Sequence, residues 1–399
     1  MNIFNRLYCR IYQGIFKLAM PILPYRTPIL EKSVTAIPKI LKDAEINNCL
    51  IVTDASIKKL GLTKDLEDCL EKASINFSIY DGTIPNPTIS NIEEAKEMYI
   101  KNNCEAIIAF GGGSVMDCAK ITGARVVKPK QPVQKMKGLL KIRKKLPLLI
   151  AIPTTAGTGS ETTLAAVITD EKTHHKYPIN DFNLIPHYAI LDYKNTLGLP
   201  PHITSTTGMD ALTHAIEAYI GKSTTKETRN YAEKATKLIV RNLKKAYDNG
   251  SNNIARENML LAAYYAGIAF TKSYVGYVHS VAHSLGGKYG VPHGLANAII
   301  LPYFLEEYGK KCENKLAKLA KLSQIAKEED STKEASQKFI QWIKNTNNYM
   351  NIPEKIDSLK EEDIPELAKK ASSEANPLYP VPLLMNAKEL EKMYYKLLK

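Results

Sequence analysis

Two segments of the 399-residue sequence gather side chains that could hold a metal. In GMDALTHAIEAY, Asp210 and His214 are four residues apart, so on a helix they lie on one face and can share a ligand. In VHSVAHSLGGKYGVPHGLANAI, three of the chain's eight histidines fall between positions 279 and 293. His279 and His283 also share a helix face, and His293 follows a Gly-Val-Pro turn that brings the chain back. One carboxylate with two or three imidazoles and no thiolate suits a divalent first-row ion such as Fe(II) or Zn(II). A single histidine would read as a core residue, whereas five such side chains in two helical segments read as a centre. Residue types and spacing leave open whether His283 or His293 completes it.

A second chemistry is written in two loops of small residues. GGGSVMDCAK (111–120) follows an apolar strand and opens a helix. Glycines there let the backbone approach a pyrophosphate, and the N–H groups of a helix N-terminus can hold it. TTAGTGSE (154–161) follows the next strand with more hydroxyls and glycines. Two such loops in one sheet favour a nucleotide lying across the strand ends. Asp54 closes the first strong strand, where an acid can bond ribose hydroxyls and repel the extra phosphate of NADP. Capping of the following helix is the other use of an aspartate there.

The elements that must position these groups follow from periodicity. CLIVTD (49–54), NFSIYDG (76–82), EAIIAF (105–110) and LPLLIAIPT (146–154) read as strands, alternating with helical stretches at 57–74 and 91–102. PNPT (85–88) reads as an ordered loop. That alternation predicts an α/β fold, a parallel sheet with helices on both faces. From about residue 203 the strand signals stop and helices fill 209–220, 226–248, 254–271, 277–288, 293–306, 312–327 and 332–347. The organisation is therefore an N-terminal extension over 1–30, an α/β domain over 31–200 and an all-α domain over 201–399.

Within the extension, Phe4, Leu7, Ile11, Ile15 and Leu18 recur at intervals of three and four, which predicts an amphipathic helix over 3–19 ended by prolines at 21, 24 and 28. Packing on the protein's own surface or on a partner subunit is the first expectation. Contact of residues 1–28 with a membrane surface is the second.

Composition narrows the function class. With 44% apolar and 24% charged residues the chain is globular, and no uncharged run reaches a membrane-spanning length. Six scattered cysteines without a CxxC pair indicate neither a disulfide framework nor a zinc ribbon, and point to a reducing cytoplasm. The net charge of +13 is local. Residues 1–30 hold four basic side chains and residues 128–145 hold eight, neither segment has an acid, and the remainder carries +1. No aromatic interleaving accompanies them, so nucleic-acid binding is not expected. The 128–145 segment reads as an exposed connection.

GGGSVMDCAK, PTTAGTGSETT, GMDALTHAIEAY and HSVAHSLGGKYGVPHG, in that order, resemble the iron-containing (group III) alcohol dehydrogenase family from about residue 30 to the C-terminus. The resemblance implies a dinucleotide-binding α/β domain, a helical metal domain and an active site in the cleft between them. It implies a metal- and NAD-dependent dehydrogenase of primary alcohols, or aldehyde reductase, working as a cytoplasmic homodimer with Fe(II) as the metal. By position, Asp210, His214, His279 and His293 match the family's metal ligands, and His283 matches its nearby non-ligand histidine, a candidate proton relay. Asp54, Asn86, Gly112, Gly113, Ser114, Asp117, Thr154, Thr155, Thr158, Val167 and Lys176 match positions that contact the dinucleotide. A lyase of the dehydroquinate synthase type, which shares the architecture and NAD, is the enzymatic alternative. A membrane-surface binding protein on the same scaffold is the non-enzymatic one.

Two segments depart from the family pattern. LEKSVTAIPKIL (30–41) replaces a glycine-bearing turn, and TKSYVGY (271–277) places Lys272, Tyr274 and Tyr277 where small residues are usual, near the expected substrate region.

Overall fold

A computed structural model describes residues 1–173 and 175–399, leaving aside the side chain of Pro21. The chain separates into two compact units, one formed by Pro24–Gly198 and the other by Met1–Leu23 with Leu199–Lys399.

Among the described residues the first unit has nine strands: β1 (Ile29–Glu31), β2 (Asn48–Val52), β3 (Asn76–Tyr80), β4 (Ala106–Gly111), β5 (Gly138–Leu139), β6 (Leu148–Pro153), β7 (Ala165–Asp170), β8 (His175–Asn180) and β9 (Tyr188–Ile190). Six of them form a wholly parallel sheet in the order β1-β9-β6-β4-β2-β3. Its central strands are apolar without interruption because both faces are covered. Leu50, Val52, Ile107 and Ala109 pack into one core, and Cys49, Ile51, Ile108 and Phe110 into another on the opposite face.

The order of the strands positions the loops. From β2 the chain passes to β3 on one side and returns to β4 on the other, so the sheet reverses direction between β2 and β4. Ligands of open α/β sheets bind beside the carboxyl ends of strands at such a reversal. Gly111, the last residue of β4, lies in register with Pro153, the last of β6, and the Thr154 N–H donates to the Gly111 carbonyl at 3.1 Å. The GGGS and TTAGTGS loops thus leave adjacent strands at one level.

Strands β1 and β9, and three further features, differ from the sequence expectation. The helix expected over 57–74 is two, Ala55–Lys59 and Lys64–Lys72, because Gly61 adopts φ +70° between them, a left-handed backbone only glycine enters without strain. A second sheet, β5-β8-β7, has no counterpart in the expectation. In β8 exposed and buried positions alternate, with Tyr177 and Ile179 inward, and in β7 Ala166 and Ile168 are buried between half-buried neighbours. The basic segment between β4 and β6 keeps every lysine but the half-buried Lys128 exposed and buries Val133, Met136 and Ile142, so it is pinned to the core.

The second unit is helical throughout its described residues from Leu199 onward, and contains α3 (Pro201–Ile220), α4 (Tyr277–Tyr289) and α5 (His293–Tyr308). In the first unit α2 (Gly113–Val127) follows the glycine loop, and α1 (Ile3–Ala19) groups with the helical unit. Helix α1 forms where the spacing predicts it, yet its apolar stripe is not its packed face. Phe4, Leu7, Ile11, Ile15 and Leu18 are all exposed, while Cys9 and Gln13 are buried. The stripe therefore does not seat the helix on the protein's own surface. Among the described residues no helix is long and apolar enough to cross a membrane.

Candidate functional sites in the two units

At the N-terminus of α2, Gly112 is the cap residue and supplies no side chain, so the first-turn N–H groups are left for a ligand. Space around the loop is tight. A Cβ on Gly111 would stand 2.6 Å from the Val115 side chain, and one on Gly113 would stand 3.0 Å from Thr158. The glycines are thus needed both for the close turn and for the approach of the second loop. Asn86, at φ +58°, donates its N–H to Ser114 Oγ at 3.2 Å and accepts from Lys176 Nζ at 2.6 Å, which draws the 85–88 loop to the glycine turn.

Asp117 faces inward from α2. Its carboxylate accepts from Ser160 Oγ at 3.0 Å and from the Val167 N–H at 2.9 Å, so it fixes the second loop and β7 relative to α2. Lys120, one turn further along and wholly buried, does the same from its other side. Its ammonium donates to Ser160 Oγ, Thr163 Oγ1 and the carbonyls of Thr163 and Ala165, at 2.9–3.1 Å. Burial pulls its pKa down to about 8. Sequence reasoning did not single out Lys120, although it stands three residues after Asp117 on the same helix face. Asp54 caps Ala55–Lys59, accepting from the Ile57 N–H at 2.9 Å with Oδ1. Thr154, Thr155 and Thr158 line the second loop, with Thr154 buried.

In the helical unit, Asp210 and His214 on α3, His279 on α4 and His293 at the start of α5 present ligand atoms that all lie within 4.8 Å of one another. Close helix contact brings them there. A Cβ on Gly294 would stand 2.5 Å from the Thr206 carbonyl oxygen, so glycine lets the N-terminus of α5 sit against α3 beside Asp210. His214 stacks between Phe270, at 4.1 Å between ring centroids, and His279, at 4.4 Å. Asn297 Nδ2 donates to Asp210 Oδ1 at 2.7 Å and lies 3.1 Å from His293 Nε2.

Glu217 organises this cluster from one turn below His214. One carboxylate oxygen accepts from the Val278 N–H at 2.9 Å, while the other accepts from the Gly276 N–H at 2.8 Å and lies 2.6 Å from His279 Nδ1. It thereby caps α4 and orients the imidazole together. A Cβ on Gly276 would meet Glu217 Oε1 at 2.5 Å, which explains the glycine. With Nδ1 engaged, His279 directs Nε2 at the cluster, and that buried nitrogen has no hydrogen-bond partner. Burial, reinforced by the neighbouring imidazoles, holds His279 well below the usual histidine value, so it is neutral at pH 7. A buried orphan lone pair beside a carboxylate and two more imidazoles is the donor set a divalent first-row ion accepts. The residues fit a metal.

His283 stands beside the four and outside them. Its ring lies 5.2 Å from that of His293, its Nδ1 is 2.7 Å from Glu374 Oε1, and it is exposed. Lys272, Tyr274 and Tyr277 each find partners within the helical unit. Lys272 pairs with Glu227 at 2.6 Å, and Tyr274 packs edge-on against Phe16 of α1 at 4.9 Å. Tyr277 is fully buried, donating to Asn376 Oδ1 and contacting the Met385 backbone, each at 2.9 Å. A phenol with two buried polar partners is satisfied as a core residue.

Comparison with known proteins bears on both units. Residues 25–193 match the iron-containing alcohol dehydrogenase family, and residues 204–398 match the C-terminal part of the Fe-containing alcohol dehydrogenase family. The chain is 41% identical to alcohol dehydrogenase 4 of Schizosaccharomyces pombe over 296 residues, spanning 73% of this chain and 70% of that protein. It is 36% identical to 1,3-propanediol dehydrogenase of Citrobacter freundii over 349 residues, 86% of this chain and 90% of that one. The crystal structure of a 1,3-propanediol oxidoreductase matches with a TM-score of 0.89 at 34% identity, covering 93% of this chain and 98% of that one.

Proposed function

The chain belongs to the iron-containing alcohol dehydrogenase family, and from that premise we propose the roles of its residues. The enzyme is an NAD- and metal-dependent oxidoreductase that interconverts an alcohol and an aldehyde. The lyase alternative is not favoured, since the relatives are alcohol dehydrogenases, a propanediol dehydrogenase and a lactaldehyde reductase. Asp210, His214, His279 and His293 hold the metal, Fe(II), and the observation that carries this is the convergence of their ligand atoms within 4.8 Å. The GGGS turn (Gly112, Gly113, Ser114) and Thr154, Thr155 and Thr158 hold the dinucleotide phosphates, with Asn86 and Lys176 closing over them. Asp117 and Val167 fix the second loop, and Asp54 bonds the adenosine ribose. When bound, the metal supplies a Lewis acid for the alcohol oxygen and the nicotinamide supplies the hydride acceptor.

This chain's own side chains supply the rest. Glu217 holds His279 in the tautomer that presents Nε2. His283, held through Nδ1 by Glu374, carries the alcohol proton at Nε2 and exchanges it with solvent, a step suited to an exposed imidazole. We further place the enzyme in the cytoplasm, supported by six cysteines that are all unpaired, and propose that it works as a homodimer.

Alcohol-dependent formation of NADH across a panel of primary alcohols tests the reading. Activity should vanish on chelation and return with Fe(II) more fully than with Zn(II). Sustained turnover in the metal-free protein would overturn the metal assignment.

A further inference from the structure

Helix α1 is amphipathic with its polar side turned inward. Gln13 Nε2 donates to the carbonyls of Pro377 at 3.0 Å and Tyr379 at 2.8 Å. Arg10 donates to the carbonyls of Val381 at 2.8 Å and Pro382 at 3.2 Å. These four bonds fix the rotation of the helix about its axis. The outward side is then apolar: Phe4 is 78% exposed, Ile11 53%, Ile15 63% and Leu18 82%. At 1.5 Å per residue the stripe from Phe4 to Leu18 is about 21 Å long. A continuous apolar face of that length, rather than single exposed residues, marks an interaction surface.

Charge selects the partner. Arg6, Arg10 and Lys17 fall along one edge of the stripe, and the helix carries no acidic side chain. Glu389 faces this edge and pairs with Arg6 at 3.4 Å. At the other end Lys17 Nζ reaches the Lys222 carbonyl at 3.2 Å, and the surroundings are cationic. Lys222 is held below the usual lysine value by burial and then by Arg10 and Lys311. Lys315 is pulled down to about 8 by burial and then by Arg229, Lys17 and Lys222. An antiparallel two-fold pairing of two copies through the stripe would lay these basic edges side by side, where like charges repel. An anionic lipid surface satisfies both features at once, taking the stripe at its acyl boundary and the cationic edge among its headgroups.

We propose that α1 docks the enzyme on an anionic membrane surface, lying in the interface plane with Phe4, Ile11, Ile15 and Leu18 inserted and Arg6, Lys17 and Lys222 at headgroup level. The inference concerns only the outer face of α1 and does not depend on the assignment of metal or cofactor residues.

Flotation of the holoenzyme with vesicles of phosphatidylcholine alone, and of phosphatidylcholine with phosphatidylglycerol, tests it. The protein should float with the anionic vesicles and not the neutral ones, and added salt should release it. Lys17→Glu should weaken partition by about fivefold or more, the scale of one basic residue at such a surface. Ile11→Glu with Ile15→Glu should reduce it by roughly 100-fold, while turnover with alcohol and NAD stays at the wild-type value because both side chains are exposed. Failure to float with anionic vesicles, or equal flotation with both kinds, overturns the proposal. So does a sedimentation result in which the double variant splits a wild-type oligomer, since a second copy would then cover the stripe.

Discussion

The carboxylate of Glu217 lies 2.6 Å from Nδ1 of His279, across 62 residues of sequence, and the same carboxylate caps the helix that carries the histidine. The imidazole is therefore aligned before any ion arrives. Burial pushes the Glu217 carboxyl up to about 7, against the Gly276 and Val278 N–H groups that hold it down. Glu217→Gln keeps the size and part of the hydrogen bonding but loses the charge that raises the basicity of His279. Metal affinity should fall by about 10- to 100-fold, the usual cost of losing such a partner. Competition with a calibrated chelator measures this, and an unchanged affinity would show that packing alone orients His279.

His293 and His283 should separate under mutation. His293→Ala removes one of the four converging donors, and elemental analysis should find most of the metal gone together with activity. His283→Ala leaves those donors in place, so metal should be retained while kcat falls on the order of 10²-fold, the scale of a lost proton relay. Equal loss of metal in the two variants would make His283 a ligand and remove its role as relay.

Lys120 gives a pH signature in stability. Burial lowers its pKa from 10.5 to about 8, so between those values the unfolded chain binds a proton that the folded protein has released. Stability linked to this residue is therefore fully present above pH 10.5 and lost as pH falls through about 8, a contribution on the order of 3 kcal/mol. Urea midpoints of the wild type should rise across that window relative to Lys120→Met, which has no proton to release. The variant should also be weaker at every pH, because Ser160 and Thr163 lose a buried partner. Parallel pH profiles of the two proteins would mean that the ammonium stays charged in its cage.

What could be read from the sequence divides along physical lines. Strands β2, β4 and β6 are legible because a strand covered on both faces must be apolar at every position. Strands β7 and β8 are not, since HKYPIN buries only Tyr177 and Ile179. The metal cluster shows in sequence because Asp210 and His214 carry the fixed four-residue spacing of one helix face. Glu217 has the same periodicity, at i+7 from Asp210, yet its partner lies on another helix, and no local pattern announces that. Periodicity also fixed α1 as amphipathic without saying which side would pack. The backbone carbonyls at Pro377, Tyr379, Val381 and Pro382 decide it, and they are invisible to any count of apolar residues. Tyr277 is the converse case: an aromatic where small residues are usual stands out in the sequence, and the structure makes it a core residue with buried polar partners.

Asp54 tests the cofactor assignment in the other unit. Its Oδ1 is committed to the Ile57 N–H, so capping is an observed role, and the ribose role must come from the rest of the carboxylate. The residue closes β2, on one side of the reversal in the sheet, with the glycine turn at the end of β4 on the other. A 2′-phosphate brought to that carboxylate meets a like charge, worth a few kcal/mol in partly screened surroundings. The wild type should accordingly prefer NAD to NADP by about 10- to 100-fold in kcat/KM. Asp54→Gly should erase most of that preference at little structural expense, since glycine replaces a capping aspartate for only about a few tenths of a kcal/mol. Steady-state kinetics with both cofactors, paired with a thermal melt, separates the two roles. If the variant keeps the full NAD preference while its melting temperature drops, Asp54 serves the helix alone and discrimination against the phosphate lies elsewhere.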